Sequence, residues 1–275
     1  MRFLINILLF FSLATQANAQ FYYMDILSTK QTNQQYMLLR NFQIKKITAT
    51  SFDGDEVSKD FVLEQIIDKD GKQITTRTAS INNQESYFIS SFSANRVYHT
   101  VDSSKNAINT VDYTYDKSGK ILSITSDSKD FDGSFTNTEI HIWSYDEKGH
   151  PEKMLKVKNS TDSTWISFIY DENENLSEEK WQKRNRVIEN YYYYYNSKKQ
   201  LTDIVRYSSK ANKLIPDYMF EYDNTGHHTQ LTQTQGGLAN YIVWKYFYNE
   251  NGLKEKEMVY DKKQQLMGRI EYRYW

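Results

Sequence analysis

The sequence predicts an all-β protein: an antiparallel meander of β-hairpin repeats, laid out as a single elongated or curled, solenoid-like sheet. Three observations predict it. Aromatic residues make up 15% of the 275-residue chain, which has 23 Tyr but only 2 Pro, and tyrosine suits a pleated, half-buried surface. A Tyr followed by Asp or Asn and a short turn recurs with a period of about 26 residues, and a fixed period of that size marks a repeat architecture. Before each such step large side chains alternate with smaller or polar ones, the period-2 pattern of a strand.

Residues 1–19 stand apart from this pattern. Arg2, the apolar run Phe3–Leu13 and the small-residue ending Ala17–Asn18–Ala19 read as a secretory signal peptide cleaved after Ala19. The apolar run is well short of the roughly 20 residues that a membrane span needs. Residues 20–60 read as one or two strands or an N-terminal cap, with Tyr36–Thr50 strand-like. Residues 61–275 form the repeat domain.

Within the repeat domain, Asp68–Gly71, Asp116–Gly119, Asp146–Gly149, Asp223–Gly226 and Asn249–Gly252 each put Asp or Asn three residues before Gly. Those are type I turn preferences, and in hairpins the turn commonly ends in a Gly with positive φ. The steps at Tyr170–Asp171 and Tyr195–Asn196 carry Glu174 and Lys199 where the others have Gly. In the first, Asn173 or Asn175 is expected to take the left-handed conformation; the second offers no obvious substitute. The anchors are Tyr115, Tyr145, Tyr170, Tyr195, Tyr222 and Tyr248, with a degenerate unit around Phe92 and a shortened one at Tyr260–Asp261.

Further large residues stand two and four positions before the anchors, as with Trp143, Tyr193 and Tyr191, Phe220 and Tyr218, Tyr246 and Trp244. Side chains at i, i+2 and i+4 share one face of a strand, so stacked units set aromatic rows side by side. The strands that return after each turn, such as Leu176–Trp181 and Lys254–Tyr260, are more polar.

Tyr113–Ile121, with its aromatic–x–Tyr–Asp–x–x–Gly–x–Ile order, resembles the YD repeat of RHS-type proteins, and the likeness extends over roughly Phe61 to Tyr260. It implies hairpins packed edge to edge into a spiralling sheet, which in large members closes around a cargo. The spacing here is longer and the units are few, so a shell large enough to enclose a protein is not expected. Tyr260–Tyr274 also resembles the shorter hairpin repeats of MORN-like exported proteins. Both likenesses speak to architecture more than to activity.

The formal charge of −1 gives no field that would draw the chain to nucleic acid or an anionic membrane, and neither partner is expected. The absence of cysteine excludes disulfides, thiolate metal sites and a cysteine nucleophile. No GxSxG, SxxK, P-loop or HExxH pattern is present, and no cofactor, metal or catalytic residue is expected. The acidic turns Asp53–Glu56, Asp68–Gly71 and Asp130–Gly133 fall short of a calcium loop's ligand set and read as ordinary turns. His99, His141, His150, His227 and His228 read as solvated or rim residues.

The aromatic rows remain. Their first reading is core, the commoner fate of periodic aromatics. Their second is a binding face, with Trp143, Tyr193, Tyr218, Trp244 and Tyr246 stacking on a surface polysaccharide or meeting an envelope protein. The expected role is therefore a non-catalytic binding or structural one at the cell envelope, with the exported chain periplasmic, cell-surface or extracellular. The alternatives are a secreted hydrolase of polysaccharide, which requires two carboxylates from different units to converge, or a small outer-membrane barrel. Against that barrel, charged residues interrupt both strand phases, as in Glu178–Arg186, where a lipid-facing band should be continuous.

Overall fold

The computed structural model describes residues 21–54, 56–58, 61–80, 85–104, 106–208, 212–234 and 240–275. The expected signal peptide lies outside these residues. One helix, α1 (Met24–Asn41), leads into β1 (Lys46–Asp53) and a two-residue β2 (Glu56–Val57). The meander follows as β3 (Phe61–Ile67), β4 (Gln73–Ser80), β5 (Glu85–Ser93), β6 (Arg96–Ser103), β7 (Ala107–Tyr115) and β8 (Ile121–Asp130). It continues through β9 (Thr136–Tyr145), β10 (Pro151–Lys158), β11 (Asp162–Tyr170), β12 (Leu176–Lys183), β13 (Arg186–Tyr195) and β14 (Leu201–Ser208). The last strands are β15 (Lys213–Tyr222), β16 (His228–Thr234), β17 (Tyr241–Tyr248), β18 (Lys254–Tyr260) and β19 (Leu266–Tyr274).

The antiparallel meander of hairpins is as the repeat predicts, but the sheet is neither open nor solenoid-like. From β3 to β19 each strand pairs with its neighbours in sequence, and β1 pairs with both β19 (Ile47↔Tyr274) and β3 (Ala49↔Leu63). The result is a closed antiparallel barrel of 18 strands. Closure removes the two free edges that an open sheet would expose. It could not be read locally, because β1 carries no turn motif and pairs with the far end of the chain.

The N-terminal region also differs from its sequence reading. Tyr36 belongs to α1, and strand pairing begins only at Lys46. The helix buries Met24, Thr29, Tyr36 and Leu39, a set that mixes polar with apolar residues and so shows no apolar stripe of period 3.6. Asp25 in its first turn and Arg40 in its last complement the helix dipole.

The tight turns from Asp116 to Asn249 gather at one end of the barrel, the one at Asp261, a single strand further on, lies at the other, and all follow a single plan. Asp116, Asp146, Asp171, Asn196, Asp223, Asn249 and Asp261 each accept the backbone N–H four residues on with their side-chain oxygen. The residue three after each has positive φ, from +94° at Gly226 to +59° at Lys199. Glu174 at +65° and Lys199 at +59° take this conformation themselves; in the first unit it is not the neighbouring Asn that does so. The side-chain acceptors hold the turn closed without glycine.

Several anchor tyrosines tie their unit to the one before it. Tyr115, Tyr145, Tyr170 and Tyr222 donate their hydroxyls to the carbonyls of Val97, Ile121, Pro151 and Leu201, at 2.6–2.8 Å. Tyr274 does the same to Lys254 at 2.6 Å, so it is Tyr274 that continues the series of anchors after Tyr248. Arg96 and Lys120 lie over the rings of Tyr115 and Tyr145, while His150 and His227 stack on Tyr170 and Tyr248.

The inner wall is layered. Next to the tight turns lie Ile121, Trp143, Phe168, Leu176 and Tyr193, packed around Phe21 and Met24. Across the barrel Ile47, Ile67, Ile74, Phe92 and Val97 pack around Tyr36 and Leu39. α1, about 27 Å long at 1.5 Å per residue, therefore spans the interior from one wall to the other. The outer face is charged: Lys46 pairs with Glu64, Arg77 with Glu85, Lys180 with Glu178 and Arg269 with Glu271. Exposed Val62 and Ile66 flank Glu64 on β3, and Ile169 lies opposite Glu178, so the apolar positions are interleaved with charges. Among the described residues no helix is long and apolar enough to cross a membrane, a statement that does not bear on strands.

Candidate functional site: the barrel interior around the helix

The five aromatic residues expected to bind face inward. Trp143, Tyr193 and Tyr246 are buried, at 3%, 4% and 6% exposure, while Tyr218 and Trp244 are half-buried. Phe21 sits among Tyr191, Tyr193 and Tyr218 with ring centroids 5.4–6.1 Å apart, and Trp143 stacks on Phe168 at 5.2 Å. These rings pack as a core around the start of the helix. A polymer approaching the outside of the sheet would not meet them.

The start of the helix is held by one carboxylate. Glu179 of β12 is wholly buried and accepts four hydrogen bonds: from the N–H groups of Tyr22 (2.7 Å) and Tyr23 (3.0 Å), the indole of Trp181 (2.6 Å) and the hydroxyl of Tyr193 (2.6 Å). Amides at a helix start lack partners within the helix, and here a residue some 157 positions away supplies one. Burial raises the Glu179 pKa, with the four donors working the other way.

Beside it, His141 bridges the helix to the wall, with Nδ1 2.6 Å from Asp25 and Nε2 3.0 Å from Glu139. Lys156 pairs with Glu139 at 3.0 Å and lies over the Tyr22 ring at 5.1 Å. Burial opposes the charged imidazole, but the Asp25 and Glu139 carboxylates outweigh it and raise the His141 pKa to about 9. Burial also opposes the Glu139 carboxylate, and His141 and Lys156 overcome it, leaving a pKa of about 2. His141 is therefore not the solvated residue its sequence context suggested. It occupies the inward phase of β9, four residues before Tyr145. His228 is likewise turned inward, against Phe220 and Tyr222 at 5.5 and 4.5 Å.

Two carboxylates from different strands also meet at Arg206, with Asp217 at 2.9 Å and Glu189 at 3.9 Å. Both are held as ion-pair partners. Among the described residues no group of three or more His, Asp or Glu is placed to hold a metal ion.

Beneath the other half of the helix lies a chamber of about 90 Å³. The helix contributes Ser28, Gln31, Thr32 and Gln35, and the wall contributes Gln65, Thr76 and Ser90 along with Phe88, Phe92, Tyr272 and Tyr274. Among the described residues the charged side chain in its lining is Lys254, which is paired with Glu257 and lies over the Tyr246 ring at 4.7 Å.

No family model and no curated protein matches the chain. Among solved structures it is similar to a porin-like protein from Bacteroides uniformis at 12% identity and a TM-score of 0.40, over 84% of this chain and 98% of that one. It is also similar to the Photorhabdus luminescens Tc holotoxin pore at 10% identity and a TM-score of 0.32, over 86% of this chain and 17% of that one. A similar match is the TcdB2-TccC3 protein, at 14% identity and a TM-score of 0.35, over 74% of this chain and 12% of that one.

Sequence reading missed Glu179, the Asp25–His141–Glu139 bridge and the chamber. A retrospective signal exists for the first two. Glu179 stands two residues before Trp181 and His141 two before Trp143, each next to an inward aromatic where a charged group needs a partner. The chamber had none, because its lining comes from elements that only barrel closure brings together.

Proposed function

We propose that this chain is a water-exposed β-barrel that serves the cell envelope as a non-catalytic binding protein, with its binding region in the interior beside α1. The observation that supports this reading most is the charge on the outer wall: Glu64, Arg77, Lys180 and Arg269 face outward, interleaved with the exposed apolar residues. A membrane barrel keeps an apolar band there, and each Arg or Lys at the lipid midplane costs about 2–4 kcal/mol. The expected export signal supports an envelope location.

The outer-membrane reading has one specific point in its favour, the closed antiparallel ring with an even number of strands. Purification of Gln20–Trp275 separates the two. The water-exposed reading expects a monodisperse protein without detergent that stays behind when vesicles are floated. A protein that aggregates unless detergent is supplied, and then inserts into vesicles, would replace it with the membrane reading.

A hydrolase reading is less well supported. Glu139, at a pKa of about 2, is no proton donor near neutral pH, and Glu189 and Asp217 are both engaged by Arg206.

A further inference from the structure

We infer that the chamber between α1 and strands β1, β3–β5 and β18–β19 binds a small, uncharged, hydroxyl-rich molecule, a single sugar ring or polyol. This rests on the interior-binding reading above and names its ligand class.

The volume comes first. A water needs about 10–15 Å³ of such space, so the chamber of about 90 Å³ has room for several waters or one compact ring. Gaps left by imperfect packing are smaller, and cavities that stay empty are apolar. This one sets hydrogen-bonding groups among the apolar side chains of Leu39, Ile47, Ile74 and the Phe rings.

Their placement on the helix is the second observation. Ser28, Gln31, Thr32 and Gln35 fall at i, i+3, i+4 and i+7, along one face turned to the barrel wall. A helix selected only to fill the barrel would put apolar residues there. The hydroxyl of Thr32 donates to the Ser28 carbonyl at 2.8 Å, which leaves its oxygen lone pairs as acceptors. Across the chamber Gln65 donates to Thr76 at 3.0 Å, fixing the amide so that its carbonyl oxygen remains available.

Aromatic rings and charge narrow the class. Phe88, Phe92, Tyr272 and Tyr274 supply flat apolar surfaces between the polar groups, the combination of a few oriented polar atoms in an aromatic lining that small-molecule sites use. Lys254 is already neutralised by Glu257, so the site carries no net charge with which to meet an ionised ligand. Gln31 both lines the chamber and is exposed to solvent, which puts the opening along that edge of the helix.

Saturation-transfer NMR on purified Gln20–Trp275 tests the inference, with glucose, galactose, xylose and myo-inositol as probes and glucuronate and glucosamine as charged counterparts. At least one neutral probe should bind, and more tightly than its charged counterpart. Ser90→Met, which fills the chamber from the wall, should weaken that binding about tenfold or more while the melting temperature holds or rises. Gln35→Leu should weaken it without filling space. A wild-type protein that is soluble without detergent yet binds no neutral probe overturns the inference and leaves the barrel reading standing. So does unchanged binding in Ser90→Met, or tighter binding of the charged probes. Should the protein prove to need detergent, the water-exposed reading falls, and the same probes added to the micellar protein still decide the chamber.

Discussion

Tyr36 of the helix lies flat on Phe92 of β5, with ring centroids 3.8 Å apart and planes 1° from parallel. Its hydroxyl donates to the Gly71 carbonyl at 2.5 Å. At Tyr115, Tyr145, Tyr170 and Tyr222, an anchor tyrosine on the strand itself donates to the carbonyl of a residue just beyond the preceding turn. At Phe92 the strand has the ring but no hydroxyl, and Tyr36 brings the missing donor from the helix. The helix thus completes the series of inter-unit bonds at the point where the repeat is degenerate.

Tyr36→Phe should therefore lower stability by about 1 kcal/mol, the net value of one hydrogen bond. Tyr36→Ala should cost about 3–5 kcal/mol through lost aromatic packing. Chemical denaturation of both variants checks the pair. Equal costs for the two would mean that the hydroxyl contributes nothing, contrary to this account.

The contrast between Phe92 and Tyr274 shows how far the sequence could be read. Local features were legible: the Asp or Asn acceptor, the positive-φ position and the alternation of aromatics all act within a few residues. The degenerate unit around Phe92 was visible too, but its remedy in Tyr36 was not, because a helix with Thr29 among its buried residues has no apolar stripe to announce it. Tyr274 keeps the spacing from Tyr248 and bonds as an anchor should, although Trp275 rather than Asp or Asn stands next to it. Its strand pairs with β1 instead, and that long-range pairing is what turns a meander into a barrel. Site legibility followed the same division: the five aromatics lie on the phase expected of a row, but which side of the sheet faces solvent depended on closure.

Removal of Glu179 should release the start of the helix. Glu179→Ala leaves two backbone amides, an indole N–H and a buried hydroxyl without their acceptor, a loss of about 3 kcal/mol or more. Glu179→Gln keeps one acceptor oxygen and should cost less. Limited proteolysis within Met24–Asn41 gives the local readout, with faster cleavage expected in the alanine variant, together with a changed Trp181 emission. Resistance equal to the parent would show that the helix is held elsewhere.

Lys199 offers a stabilising substitution. At φ +59° a side chain other than glycine costs roughly 1 kcal/mol, and the sibling turns use Gly119, Gly149, Gly226 and Gly252 at this position. Against the change stands the exposed bond from Lys199 Nζ to the Asn173 carbonyl at 3.1 Å. Lys199→Gly should raise stability by about 0.5–1 kcal/mol, read as a higher denaturation midpoint. A lower midpoint would mean that the side-chain contact outweighs the backbone strain.

Two histidines should shape opposite limbs of the stability–pH profile. Burial, aided by the Lys254 cation, lowers the His228 pKa from 6.5 to about 4. The unfolded chain then binds the proton more readily, so this contribution is present above pH 6.5 and is lost as pH falls toward 4, by about 3 kcal/mol. His141 is raised from 6.5 to about 9, so its contribution is full below pH 6.5 and is lost as pH rises through 9. Glu139, lowered from 4.5 to about 2, loses its contribution only at lower pH than His228 does. His228→Phe keeps the packing against Phe220 and Tyr222 and should flatten the limb between pH 6.5 and 4, while leaving the alkaline limb alone. His141→Gln should lower stability near neutrality and flatten the limb between pH 6.5 and 9. Denaturant titrations across pH for the parent and both variants provide the measurement. A parent whose stability does not change from pH 6.5 to 9 would contradict the charged bridge between His141, Asp25 and Glu139.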